Sequence, residues 1–451
     1  MDGLAILTIS LVACYDEMSN FGVSQALESQ SNFMIERALM SRGKIGVYHP
    51  GTQHSWQTAL AFQEGGALAW FATSILYDET RFPYSVPRFL PGKIGRQLKT
   101  EFLRRDFPPL DKLLVEQFGL LEWLAVPLRR ARLSNLARRA SLASSAAGAK
   151  RVRRLLQRGN VEALWTFDAV GLEALRAAKD LGVPTVLDQT IGHMASLDRI
   201  MRNEAECHPE YFPEGFRGIP AAVIERQYEE LEIADYVVVG SDFAKGTLVE
   251  NGVAEAKIEV LRYGFDERLF TSASVRAVPR ERPIRFLCVG SIGPRKGTPY
   301  LFEAFRNISP ELAHLTIVGP LEVPPSLLPR DLPHVTVRSS VPRSEIPGMM
   351  LEADCAILPS LFEGCSISLH EAIASGLPLI HSISAGDGLV DGNGIVLGEV
   401  SAEAIHEAVE TVLQDPSLIA TWSRRSVESV NEHRASAYRG RVREFSKIWL
   451  S

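Results

Sequence analysis

Glu363 and Glu371 stand eight positions apart in the run Asp354-Cys-Ala-Ile-Leu-Pro-Ser-Leu-Phe-Glu363-Gly-Cys-Ser-Ile-Ser-Leu-His-Glu371-Ala-Ile-Ala-Ser-Gly376-Leu-Pro378. Paired carboxylates can work as acid and base, as in glycoside hydrolysis. Here the run reads as a buried strand, a tight turn with the first acid, and a helix with the second acid two turns on. The two therefore serve different parts of one ligand. A helix carboxylate facing a nucleotide suits a ribose diol, and the amides of Gly364, Cys365, Ser366 and Ile367 open the helix toward phosphate or sugar oxygens. The plainer alternative is two surface glutamates at helix-start positions. The flanking Pro359-Ser360 and Ala372-x3-Gly376-x-Pro378 weigh against it.

A second constellation follows the apolar run Ile284 to Val289: Gly290-Ser291-Ile-Gly293-Pro-Arg295-Lys296-Gly297, with Thr298 opening a helix. Glycines let backbone amides approach a ligand closely, and Arg295 and Lys296 add two full charges suited to a diphosphate. An ordinary glycine-rich turn carrying surface basic residues is the alternative. The loop lacks the Gly-x4-Gly-Lys-Ser/Thr of a P-loop. No Gly-x-Gly-x-x-Gly opens the first strand of the chain either, which argues against a dinucleotide dehydrogenase.

Positioning these residues requires parallel α/β sheets. From residue 44, strands expected at 44–48, 68–76, 162–167, 184–188, 235–241 and 258–262 alternate with helices, and residues 77–160 read as mainly helical and basic. Strands at 284–291, 314–319, 335–338, 354–359 and 378–383 follow, with helices near 298–308, 343–353, 367–375 and 401–414. A polar, proline-bearing linker, Ser272 to Pro283, comes after Tyr263-Gly-Phe-Asp266. The expected organisation is an N-terminal extension over 1–40, which shows no α/β pattern and reads as flexible or as upstream sequence. A Rossmann-like domain over 41–265 and a second over 266–435 then face each other across a cleft, and a last helix (436–451) packs back on the first domain. Ligands of such folds bind at strand carboxyl ends and domain interfaces.

At 451 residues the chain exceeds a single ordinary core. Its 46% apolar and 23% charged residues are those of a globular protein. Five cysteines (Cys14, Cys207, Cys288, Cys355 and Cys365) form no CxxC pair, which fits reduced thiols in a cytoplasm better than a disulfide framework or a zinc site. Leu4 to Cys14 is too short to span a membrane, and no positive charge precedes it as a signal peptide requires. Charge is uneven: Lys93 to Arg158 holds sixteen Lys or Arg against five Asp or Glu, in a chain of net charge −6. Arg129, Arg130, Arg132, Arg138, Arg139, Arg151, Arg153 and Arg154 are interleaved with apolar residues. Such a basic amphipathic stretch suits the anionic inner face of a membrane, the alternative being a solvated helical face. Nucleic acid fits poorly, since the overall balance is acidic and no reading motif is present.

Pro359-Ser-Leu-Phe-Glu363-x7-Glu371-Ala-x3-Gly376-x-Pro378 resembles the E-x7-E signature of family 4 retaining glycosyltransferases (glycosyl transferases group 1), whose fold is GT-B. Gly290-x5-Lys296-Gly297 is similar to their diphosphate loop, and Glu232 through Asp266 to their interdomain segment. The likeness covers roughly 160–430, and Lys44 to Gly65 more loosely. It implies metal-free transfer of a sugar from a nucleotide-diphosphate sugar, the co-substrate in place of any cofactor, to a glycan or glycolipid in polysaccharide or glycolipid synthesis. Arg295 and Lys296 would neutralise the leaving diphosphate, Glu371 would hold the ribose, and Glu363 with the turn amides would hold the sugar. His193 matches a histidine beside the donor sugar. His49 and Gly51 fall on the loop bordering the diphosphate, and His54 beyond it on the acceptor side; Asp168 and Asp188 also lie at strand ends. Two departures stand out: Ser291 replaces the arginine usual after the first glycine, and Ser366 replaces a glycine. Ser291 favours the alternative of a catalytically silent GT-B subunit that binds nucleotide or a partner; an epimerase on the same fold is more distant.

Overall fold

The computed structural model describes residues 44–51, 54–80, 84–90, 92–103, 105–118, 146–270, 274–279, 283–386 and 392–449. The extension 1–40 and Arg129, Arg130, Arg132, Arg138 and Arg139 of the basic stretch lie outside them.

Two parallel sheets organise the chain. The first holds β1 (Ile45–Tyr48), β2 (Leu68–Thr73), β3 (Val115–Gln117), β4 (Ala163–Phe167), β5 (Thr185–Gln189), β6 (Tyr236–Val239) and β7 (Ile258–Val260), in the order β3-β2-β1-β4-β5-β6-β7. The second holds β8 (Ile284–Val289), β9 (Ala313–Val318), β10 (Val335–Arg338), β11 (Cys355–Leu358), β12 (Leu379–Ser382) and β13 (Gly394–Leu397), in the order β10-β9-β8-β11-β12-β13. In each, the order runs outward from a central strand in both directions, the doubly wound pattern.

The sequence explains this. Ile45, Val47, Ala163, Trp165, Phe167, Val186 and Val238 are almost wholly buried, because helices cover both sheet faces. Burial of such side chains contributes about 1.5–3 kcal/mol each. The last helix, Ala435–Trp449, returns to the first sheet and lies against the helix Ser55–Glu64. Tyr438 OH meets Thr58 Oγ1 at 2.8 Å, and Arg439 and Arg443 both reach Glu64.

The structure corrects three expectations. Residues 77–160 are not only helical among those described, since β3 pairs with β2 there; three residues ending in Glu116-Gln117 carry no periodicity to announce a strand. β13 adds a strand to those expected, four residues long directly after the turn at Gly392-Asn393. β2 stops at Thr73 rather than continuing to 76, because Ser74 turns to donate its hydroxyl to the Pro50 carbonyl.

Candidate functional site

The carboxyl ends of β8 and β11 bring two loops together. After Val289, the chain runs through Gly290 to one 3-10 turn, Pro294–Lys296, and then into the helix Thr298–Arg306. The Gly293 amide donates to Thr298 Oγ1 at 2.9 Å and closes the loop. Gly297 has φ +70°, and a Cβ there would lie 2.0 Å from the Pro359 carbonyl oxygen. Only glycine permits that contact, and through it the basic loop is pressed against the loop that carries Glu363.

Glu363 Oε1 accepts from Lys296 Nζ at 2.5 Å and from Arg295 Nη1 at 2.6 Å. Arg295 Nη1 also reaches the Phe362 carbonyl at 2.8 Å, and the Leu361 amide donates to the Arg295 carbonyl. One carboxylate oxygen thus holds two consecutive cations of the neighbouring loop, within a site that is mostly shielded from solvent. Ser291 Oγ is buried in the same loop with no hydrogen-bond partner among the described residues.

Eight residues on, Glu371 projects from the helix Ile367–Ala374 and is 1% exposed. Its Oε1 pairs with Arg343 Nη2, from the turn before the helix Ile346–Glu352. Burial raises the Glu371 pKa and Arg343 opposes the shift. Between the two glutamates the backbone is tightly held. A Cβ on Gly364 would fall 1.9 Å from the Thr190 carbonyl oxygen, and Ser241 Oγ donates to the Gly364 carbonyl at 2.5 Å, so both contacts tie this turn to the first sheet. The Ser366 amide donates to the Ala385 carbonyl and is committed inside the protein, in contrast to the expectation of a free turn amide. Ile367 is partly exposed at the helix start. Cys365 Sγ contacts His370 Nε2 at 3.1 Å, and His370 Nδ1 meets His433 Nδ1 at 2.9 Å.

From the first sheet, His193 follows β5 and caps the helix Met194–Cys207, its Nδ1 accepting from the Ala195 amide. A neutral ring accepting at Nδ1 carries its proton on Nε2, and Nε2 is buried without a partner among the described residues. Burial lowers this pKa to about 4, so the ring is neutral near pH 7. His49 Nδ1 accepts from the Gly51 amide at 2.9 Å, and burial lowers its pKa to about 4 as well. His54 Nε2 is bound to Asp188 Oδ2 at 2.9 Å, and the ring is walled by Phe167, Tyr263 and Tyr438. Asp168 accepts from Thr190 and Gln189, and burial raises its pKa to about 6.

Sequence reasoning missed Arg343, His370, His433 and Glu230. Glu230, fully buried, accepts from the Ala169 and Leu172 amides beside Asp168 and holds Ala169 at φ 64°. Arg343, His433 and Glu230 stand outside the motifs, and His370, inside one, gains its second partner only across tertiary distance.

Residues 283–415 match the family model described as glycosyl transferases group 1. The MMP alpha-(1->4)-mannosyltransferase of Mycolicibacterium hassiacum is 26% identical over 245 residues, covering 50% of this chain and 54% of that protein. Glycogen synthase of Mycobacterium tuberculosis is 29% identical over 177 residues, covering 37% of this chain and 42% of that protein. The chain spans about half the length of the curated relatives it matches. Among solved structures, sucrose-phosphate synthase from Thermosynechococcus elongatus superposes with a TM-score of 0.60 at 17% identity, covering 90% of this chain and 99% of that one. Anabaena HepE in complex with UDP-glucose does so with a TM-score of 0.54 at 14% identity, with the same coverage of 90% and 99%. These superpositions fix the fold as GT-B.

Proposed function

We propose that this chain, which carries a glycosyl transferases group 1 domain on a GT-B fold, moves a hexosyl group from a nucleoside-diphosphate sugar to a hydroxyl of a glycan or glycolipid, with retention at the anomeric carbon and without a metal. The observation that carries the reading is the clamp of Arg295 and Lys296 on Glu363, on the same sheet edge as Glu371. Two cations already desolvated and fixed in place suit a diphosphate that gains charge as the sugar leaves, because preorganised charge needs no reorganisation at the moment of reaction. Glu363, which orients both, would face the sugar. Glu371 would take the ribose diol, with Arg343 balancing its charge in the interim. His193, neutral and with Nε2–H unpartnered, would donate to a sugar oxygen. The acceptor hydroxyl would attack from the face the diphosphate leaves, a phosphate oxygen taking its proton, so the chain itself supplies no nucleophile.

No helix of the described residues is long and apolar enough to cross a membrane. Cytoplasmic action at the anionic inner face of a membrane is the setting proposed, through the basic stretch over 93–158. The buried, unpartnered Ser291 hydroxyl supports a second reading, a subunit that binds nucleotide without turnover. Incubation with radiolabelled UDP- and GDP-sugars decides between them. Release or transfer of sugar from at least one donor is expected. Tight nucleotide binding with no turnover of any donor leaves the silent subunit.

A further inference from the structure

The first sheet carries a second concavity, at the same carboxyl edge that faces the donor loops. β2 ends at Thr73 and β3 at Gln117, and the two are joined beyond the sheet by Gln117 Oε1 accepting from the Leu76 amide. Four residues past β2, Tyr77 begins a pocket of about 360 Å³ lined by Tyr84, Arg88, Arg96 and Lys99 among others. Its wall is built by the helix Gly92–Leu103: Leu98 and Phe102 on one face pack with Ile75, Tyr77 and Tyr84, while Arg96 and Lys99, three residues apart, share the other face.

The charge in this pocket is lopsided. Glu79 is the one carboxylate among the lining residues, and it is paired with Arg88 at 3.4 Å. Arg96 and Lys99 have no carboxylate partner among the described residues, and Lys112 lies 5.6 Å from the centre of the Tyr77 ring. In a chain of net charge −6, a pocket with an excess of cations and two tyrosine walls is built for an anion bearing an organic group. Phe89, between the lining Arg88 and Leu90, is 83% exposed. An apolar rim beside a cationic pocket fits a phosphate attached to an apolar chain as well as a phosphosugar.

We infer that this pocket holds the acceptor of the transfer proposed above by a phosphate group, with Arg96 and Lys99 donating to its oxygens. The inference rests on that reading for the acceptor's role, but phosphate binding is measurable without it. Both cations are exposed, so each is worth about a factor of ten at low ionic strength and less as salt rises.

Calorimetry on the full chain, with glucose 6-phosphate, farnesyl phosphate, glucose and farnesol as probes, tests it. At least one phosphorylated probe is expected to bind at least about tenfold more tightly than its dephosphorylated counterpart. Arg96→Gln/Lys99→Gln is expected to lose that preference, Arg96→Lys/Lys99→Arg to keep most of it, and both to retain UDP or GDP affinity. Preference for farnesyl phosphate identifies a lipid phosphate, and preference for glucose 6-phosphate a sugar phosphate. Equal binding of phosphorylated and dephosphorylated probes, or wild-type affinity in the glutamine variant, overturns the inference. Donor turnover without any phosphate preference removes the pocket's role and leaves the transfer reading standing; phosphate preference without donor turnover does the reverse.

Discussion

The two sheets present their carboxyl edges to one cleft, but they are built differently. At the second sheet, the charges come from two continuous segments, the loop 290–297 and the turn and helix start 359–371, locked to each other by Gly297 and Glu363. At the first sheet, the polar groups come from scattered segments, and most are already satisfied internally. His54 is bound to Asp188, Asp168 to Thr190 and Gln189, and Glu230 to two amides. The difference teaches where chemistry is concentrated and where tolerance lies. An edge made of consecutive residues gives a fixed charge pattern to a constant part of the substrate. An edge made of distant residues can vary with the part that differs from one enzyme to another.

If that division holds, damage should be greatest at the second edge. Lys296→Ala removes one of the two cations proposed to face the leaving group and leaves Glu363 with a single cationic partner. Turnover is expected to fall about 100-fold or more, as for loss of one preorganised donor to a developing negative charge. Radiolabelled sugar release from the active donor measures this. A fall of less than about threefold would move catalysis away from this loop. Glu371→Ala should act next in size and through binding. Removing the buried carboxylate proposed to take the ribose is expected to weaken UDP or GDP by about 10- to 100-fold in calorimetry. Turnover at saturating donor should change less than affinity, and an unaltered nucleotide affinity would take Glu371 out of the site.

At the first edge, His193→Ala is expected to cost about tenfold in turnover, because one neutral hydrogen bond is lost. His193→Asn, which keeps a side-chain donor, should recover part of it. If His54→Ala impaired sugar release more than His193→Ala while leaving thermal stability intact, the reading of His54 as a packing residue would fail.

The contrast also explains what was legible. Arg295, Lys296, Glu363 and Glu371, the residues proposed for the donor, lie in compact motifs whose spacing maps directly onto a turn and a helix, so their juxtaposition is legible in the sequence. The parallel strands were readable because their β-branched and aromatic runs are buried on both faces. The surroundings of His54 are not legible in its local sequence, because its wall includes Tyr438, which arrives only with the last helix. Arg343 went unseen because nothing local marks a surface arginine that will reach a glutamate on another element. Likewise, no pattern announces that Cys365, His370 and His433 will line up.

The smallest expected effect concerns pH, and it follows from how the first edge satisfies its own groups. Burial depresses His49 and His193 to about 4 from 6.5. The unfolded chain therefore binds more protons than the fold between pH 4 and 6.5, and stability is lost as pH falls through that window. Burial acts oppositely on the acids, raising Asp168 to about 6 from 3.8 and Glu230 to about 7 from 4.5. There the fold binds more protons, so stability is lost as pH rises across roughly the same window. Each group carries about 1.4 kcal/mol per unit of displacement, and the two pairs largely cancel. Replacing the acids by Asp168→Asn and Glu230→Gln keeps one acceptor oxygen at each site, sets an amide NH2 against the second donor, and removes the opposing slope. The double variant should then lose more stability than wild type on going from pH 6.5 to 4.5, by a few degrees in melting temperature. Parallel melting curves for the two proteins would mean that the acids titrate as they do in water, and that the first edge is wetter than its packing implies.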